Sequence, residues 1–268
     1  MSDGKLSELL GKSEFVVTCE LDPPPNSNAD SIRELAKTLK SSVDAVVLKD
    51  NPNAAVGMSA MSASAIIIHE EIEPVLEMTA RDRNRLALQS DALGAGAMGI
   101  PTILVRTGKF HTLGDQPAAK SVYDLDSVQL LQMLRTMRDE NKLMNGSQID
   151  PSPKFMLGSV WNASSGPMEL RVMGLAKKIQ AGAEFVIAEG ISDLDQLSEI
   201  INEVRGKGLH EKTKIIAGVS LEASGDKAQD MIKGLREIDG VAGVHITAGE
   251  AVDKVPQIVE GAGLFPRP

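Results

Sequence analysis

The chain has 268 residues, a hydrophobic fraction of 42% and a net charge of -9, which suits one α/β domain and leaves no basic patch able to neutralise a run of phosphates, so nucleic acid is excluded as a partner. The one cysteine, Cys19, excludes an intrachain disulfide and any all-cysteine zinc or iron–sulfur site. Apolar runs such as residues 65–68 fall far short of the roughly 20 residues of a membrane span, and the start, MSDGKLSELLGKSEF, lacks a signal-peptide apolar region; the expectation is a cytoplasmic protein with no membrane partner.

Taken in chain order, short β-branched runs alternate with segments of helical spacing. The predicted strands are FVVTCEL (15–21), AVVLKD (45–50), EPVLEMT (73–79), TILVRT (102–107), KFMLGSVW (154–161), EFVIAE (184–189), KIIAGVS (214–220) and GVHIT (243–247). The predicted helices between and after them are 30–41, 59–71, 82–93, 125–141, 167–180, 193–204, 226–238 and 252–260. Eight strict βα units with short connections imply parallel strands, right-handed crossovers and closure into a (βα)8 TIM barrel, with a doubly wound open sheet as the runner-up. Two connections are long: KFHTLGDQPAAKSVYD (109–124) follows strand four on the face where barrels place their chemistry, and LMNGSQIDPSPK (143–154) lies on the opposite face.

The reactive groups of a barrel sit at the C-terminal ends of its strands. Here those positions carry Glu20 and Asp22, Lys49 and Asp50, Thr79 with Arg81 and Asp82, Thr107 with Lys109, Trp161 with Asn162, Glu189, Ser220 with Glu222, and His245 with Thr247. No HExxH, GxSxG or GxxxxGK[ST] occurs and the four histidines are scattered, which disfavours a zinc or serine hydrolase and predicts no metal site. Glu20 lies among Val17, Cys19 and Leu21 and is followed by PPP (23–25); apolar surroundings would raise its pKa and make it a general acid, the plain alternative being an ion pair with Lys49. Glu189 is a second candidate carboxylate, again with a strand-end lysine as the plain partner. RDRNR (81–85) is expected to open a helix and hold a phosphate, unless it is simply a solvated first turn. GAGAMG (94–99) follows a helix, not a strand, and reads as a helix end and turn. Trp161 reads equally as a stacking surface or as core, and His245 as a hydrogen-bonded residue inside the barrel.

VTCELDPP (17–24), LKDNPNA (48–54), MTARDRNRLALQSDALGA (78–95), LGDQPAAKSVYDLDSVQLL (113–131), KKIQAGAEFVIAE (177–189) and GLFPRP (263–268) together resemble the methylenetetrahydrofolate reductase family, in particular its short, catalytic-domain-only forms from anaerobic and corrinoid-linked one-carbon metabolism. The resemblance implies a barrel that carries FAD and reduces 5,10-methylenetetrahydrofolate to 5-methyltetrahydrofolate. It makes Glu20 the general acid that protonates the methylene-bridged nitrogen, Tyr123 and Lys178 flavin contacts, and Arg81, Asp82, Arg83 and Asn84 the stretch near the flavin phosphates. Several positions depart from the family pattern. Lys49 stands for a threonine or serine that touches flavin, and Lys109 after Gly108 stands for the aspartate of a Gly-Asp pair. Glu189 stands for the pterin-binding glutamine, WNASSG (161–166) for aromatic and acid–histidine contacts, and Arg171 for an acid. A pterin offers its 2-amino group and N3–H to a carboxylate as a bidentate pair, so Glu189 can replace the missing aspartate, with Asn162 and His245 as further substrate-side positions.

Two other functions fit the same pocket. One is a flavin-free tetrahydrofolate methyltransferase exchanging methyl with a corrinoid protein; the other is a folate-binding subunit of a larger one-carbon complex. The reductase needs a nicotinamide or a partner subunit as electron donor. A homo-oligomer is compatible with outer helices that read alike whether they face water or a second copy.

Overall fold

A computed structural model describes residues 4–224 and 227–267. Eight parallel strands close into a barrel in sequence order, with β1 (Val16–Leu21) pairing both β2 (Ala45–Leu48) and β8 (Val241–Thr247). Between them come β3 (Pro74–Thr79), β4 (Thr102–Arg106), β5 (Met156–Asn162), β6 (Phe185–Glu189) and β7 (Lys214–Ser220). The expected barrel is the observed one, and the open sheet is set aside.

The strands hold because alternate residues face two different apolar layers. Val17, Cys19, Val46, Leu48, Leu76 and Ile103 point outward and pack against the helices. Val16, Val47, Val75, Leu104, Phe185 and Ile216 point inward and fill the lower half of the barrel. Gly158 on β5 makes room there, since a Cβ at that position would sit 2.2 Å from Phe185 Cζ.

Five of the helices begin where a short polar side chain satisfies an orphan N–H. Asn28 caps α2 (Ala29–Leu39), Ser59 caps α3 (Ala60–Ile68) and Asn84 caps α4 (Arg85–Ala97). Asp126 forms a capping box with Gln129 at α5 (Ser127–Asp139). Then α6 (Met168–Ala181) ends at Gly182, whose φ of 119° only glycine tolerates well. Asp193 caps α7 (Leu194–Gly206), and α8 (Leu221–Ser224), α9 (Ala228–Arg236) and α10 (Val255–Gly261) complete the ring. The expected first residue of the helix over 226–238, Asp226, lies outside the described residues.

The preceding helix in the chain is one that periodicity did not predict. Residues Lys5–Gly11 form α1, and Leu6, Leu9 and Leu10 plug the N-terminal end of the barrel against the inward residues of β1–β7. Glu73 accepts the N–H groups of Lys5 and Leu6, which leaves the helix start satisfied. Three expected helix bounds are corrected. The helix after β3 starts at Arg85, not 82, because Asn84 takes the capping position. The helix expected to stop at 93 runs on through Gly94 and Gly96 to Ala97, so that GAGAMG holds the helix end and the turn after it, as expected; Gly96 is where Pro153 packs, 2.7 Å from where a Cβ would stand. Similarly, α3 stops at Ile68, before HEE.

On the C-terminal face the long β4 connection leans on the β2 connection. Its short 3₁₀ turn His111–Leu113 ends at Gly114, whose Cβ position would lie 1.9 Å from Ala54 O, so only glycine permits this contact. Among the described residues, no helix is long and apolar enough to cross a membrane.

Candidate functional site: a charged cup above the barrel core

Above the apolar layer the inward positions turn polar. They line a cavity of about 760 Å³ at the C-terminal ends of the strands, a size that suits an organic ligand. Of the predicted residues, Glu20, Lys49, Arg81 and Gly108 border it, as do Lys109, Asn162, Lys178 and Glu189.

Glu20 sits inside the barrel on β1, only 6% exposed. Lys49 Nζ donates to its Oε1 at 3.0 Å, and His245 Nε2 lies 3.3 Å from Oε2. Thr18 Oγ1 is 3.0 Å from His245 Nδ1, so a threonine–imidazole–carboxylate chain runs from β1 to β8 and back. Burial alone pushes the Glu20 carboxyl up, but His245 and Lys49 outweigh it and hold the group at about 2. The expectation of a raised pKa is therefore corrected: in the free protein Glu20 is a carboxylate. Burial would lower the Lys49 ammonium, yet Glu20 and Asp22 together hold it above its ordinary value.

A second ionic group was not legible as a site. Arg106 ends β4 and donates from Nε to Glu77 on β3 at 2.8 Å, while its Nη2 and Nη1 grip Glu189 on β6 at 2.7 and 3.2 Å. Glu77 is 2% exposed, and burial keeps its carboxyl above the ordinary range despite Arg106 and Lys49. Burial disfavours the Arg106 cation, but Glu77 and Glu189 keep it firmly protonated. The partner expected for Glu189 was a lysine; it is this arginine. The bidentate acceptor face expected to receive a pterin is already filled by the guanidinium.

The RDRN stretch does not form a free anion cradle. Arg81 makes two 2.7 Å bonds to Asp82 and also donates to the Asn51 and Lys109 carbonyls. Asp82 further accepts from Asn51 and meets His111 Nε2 at 2.8 Å, and these contacts, against burial, hold its carboxyl at about 2. Arg83 spans Asp50 and Asp91, and Asn84 is spent on the α4 cap. The guanidinium of Arg81 is thus shared between Asp82 and two backbone carbonyls, and that of Arg83 between two carboxylates. Trp161 is core: it is 2% exposed on the helix-facing side of β5, and its Nε1 donates to Arg171 O at 2.9 Å.

Tyr123 donates its hydroxyl to Gly108 O and stands edge-on to Phe110 with ring centres 5.5 Å apart. Asn162 turns its Oδ1 to the N–H groups of Ser164 and Ser165, folding the loop after β5. Two lysines meet neutral oxygens. Lys109 donates to Asn53 Oδ1 at 2.8 Å, and Lys178 on α6 reaches Ser159 Oγ at 3.0 Å and Ser127 Oγ at 3.3 Å. Burial lowers the Lys178 ammonium to about 8.

An eight-stranded barrel with its charged residues gathered at the strand C-termini is an enzyme-type TIM barrel. Residues 5–238 match the family model described as methylenetetrahydrofolate reductase, and the chain belongs to that family. No curated protein matches the sequence. Among solved structures it is similar to a Clostridium thermocellum protein that binds two copies of 5-methyl-5,6,7,8-tetrahydrofolic acid, at 10% identity over 97% of this chain and 98% of that one, with a TM-score of 0.62. It is also similar to M. tuberculosis tryptophan synthase in an aminoacrylate-bound form (13% identity, 98% and 100% coverage, TM-score 0.60) and in an open form (13%, 96% of each chain, 0.57). At these identities the likeness is one of fold.

The flavin that the family implies is a ring system edged with carbonyl oxygens and attached to phosphate. The cup fits such a group at Lys178 and Lys109, two cations that face hydroxyl and amide oxygens and can take an anionic partner without breaking an ion pair.

Proposed function

We propose that the chain binds a reduced folate in the cup and reduces 5,10-methylenetetrahydrofolate to 5-methyltetrahydrofolate, with Glu20 as general acid. The observation that carries this reading is the buried Glu20 carboxylate with Lys49 on one oxygen and the His245–Thr18 chain on the other. The family match supports it, as does the fold shared with a protein that binds 5-methyltetrahydrofolic acid.

A carboxyl held near 2 carries no proton at neutral pH, so the acid form arises with ligand bound. A pterin over Glu20 excludes water, and a ligand atom that draws Lys49 away removes one of the two groups holding the carboxyl down. Burial, the largest influence on Glu20, then favours its neutral form. His245, in contact with the same carboxyl, is placed to pass it a proton. Glu20 hands that proton to the bridged nitrogen of the folate, whose ring opens to the reactive iminium. Lys178 and Lys109 would hold a flavin through their positive charges, and such a group would supply the hydride chemistry that the iminium carbon needs.

The commitment of Arg81 and Arg83 to carboxylates favours a second reading, a flavin-free folate methyltransferase working with a corrinoid protein. The absorption spectrum after loading with FAD and removing the excess separates the two. The reductase shows flavin bands near about 450 nm that bleach with a reductant and return with methylenetetrahydrofolate. A protein that binds tetrahydrofolate yet stays colourless rejects the reductase.

A further inference from the structure

Outer helices such as α2 and α9 meet water through charge: α2 exposes Asp30, Glu34 and Lys37, and α9 exposes Asp230, Lys233 and Arg236. On α4 the residues exposed after Arg85 are Leu86, Ser90, Leu93 and Ala97, all of them uncharged. Arg85 is paired with Asp124, and Asp91 with Arg83, so neither lends a free charge to this face. Leu86 is 74% and Leu93 37% exposed, which leaves apolar surface of both in water. The spacing of four, three and four sets the four side chains in one stripe along the helix, the pattern with which one helix packs on another.

The order of sizes shows what the stripe fits. Large and small residues alternate, and reversing the stripe about the point midway between Asp91 and Ala92 sets Leu86 opposite Ala97 and Ser90 opposite Leu93. Each leucine then fills the space over a small residue of an antiparallel α4, and each pairing occurs twice, as a two-fold contact demands. We propose that this face of α4 is the interface of a homodimer, in which a second copy of the chain packs α4 against α4 across a two-fold axis. The net charge of -9 makes two copies repel over most of their surface, and the uncharged stripe is where they meet without setting like charges face to face. A single helix stripe falls short of the roughly 1,200 Å² that a stable interface buries. At the Ala97 end, where the partner's Leu86 arrives, the contact is extended by Met98, which is exposed, and by a cleft of about 540 Å³ whose lining includes Ile68, Ile72, Gly96 and Pro101.

The test is sedimentation velocity of the full chain at about 1–100 µM, where a dimer is expected. Ser90→Arg and Leu93→Lys, both at exposed positions, are each expected to raise the dimer Kd by about 100-fold or more. Leu170→Lys, at an exposed leucine of α6, is expected to leave it unchanged. Cross-linking reads the direction of the helices, since Cys19 is buried and stays out of the reaction. Chains carrying Ser90→Cys mixed with chains carrying Leu93→Cys are expected to join through a short bismaleimide faster than either variant joins to itself. A monomer throughout the concentration range would leave the stripe to a different protein and overturn the proposal. So would a dimer that survives both charged variants, one that Leu170→Lys weakens equally, or cross-linking that is fastest within a single variant, which marks parallel helices.

Discussion

Glu20 illustrates how far a single residue can be read from its neighbours in the chain. Its apolar flanks and its place at a strand end mark it as a buried carboxyl, and it is one. The direction of its pKa was not legible, because His245 lies 225 residues away and meets it only when β8 closes on β1. His245→Gln removes the stronger of the two stabilising partners, so the Glu20 carboxyl is expected to rise from about 2 toward or above its ordinary range. A pH titration of the carboxyl by ¹³C NMR, with Glu20→Gln as the blank, measures that rise; an unchanged titration would contradict the role given to the imidazole. Arg106 escaped notice because it ends an otherwise apolar run. The available signal was Glu77, an acid in the middle of β3, which an interior can hold only with a cation nearby.

The elements follow from period and caps, and their misreadings have local causes. The seven residues of α1 are too few for a periodic signal, and its stability comes from packing into the open end of the barrel. Leu6→Ala or Leu10→Ala is accordingly expected to cost about 2–5 kcal/mol, read as a lower urea midpoint, while a loss below about 1 kcal/mol would show that α1 does not seal the core. The end of α4 falls within the glycine-rich stretch as expected, but at Ala97 instead of 93, where Gly96 packs on Pro153. At β5, Gly158→Ala places a methyl group into the Phe185 ring and is expected to destabilise by about 1–3 kcal/mol; thermal unfolding measures it, and an unchanged midpoint would mean that the inner layer has slack.

At the scale of the whole molecule, the barrel was legible because eight strands alternate with helices and none breaks the order. The cup was legible only as a set of strand ends, since its two ionic groups join residues on β1, β2 and β8 and on β3, β4 and β6, pairings that closure alone creates. Closure also links stability to pH. Glu20 is held at about 2 against its ordinary 4.5, so its contribution is present above pH 4.5 and is lost as the pH falls toward 2. Glu77, held above its ordinary value, opposes this by favouring the folded state at lower pH. Glu20→Gln is therefore expected to flatten the fall of the urea midpoint between pH 4.5 and 2; an equally steep fall in the variant would mean that other carboxylates govern acid unfolding.

Whether Glu20 supplies the proton for reduction of a folate-borne methylene group is read from an anaerobic single turnover. Protein loaded with FAD and reduced is mixed with 5,10-methylenetetrahydrofolate, and flavin reoxidation is followed together with 5-methyltetrahydrofolate formed, for the unaltered chain and for Glu20→Gln. One methyl product per flavin oxidised is expected, with the variant slower by roughly 10²–10⁴ and its folate affinity within about tenfold. Equal rates in the two proteins, or bound folate beside a flavin that stays reduced in the unaltered chain, would contradict it.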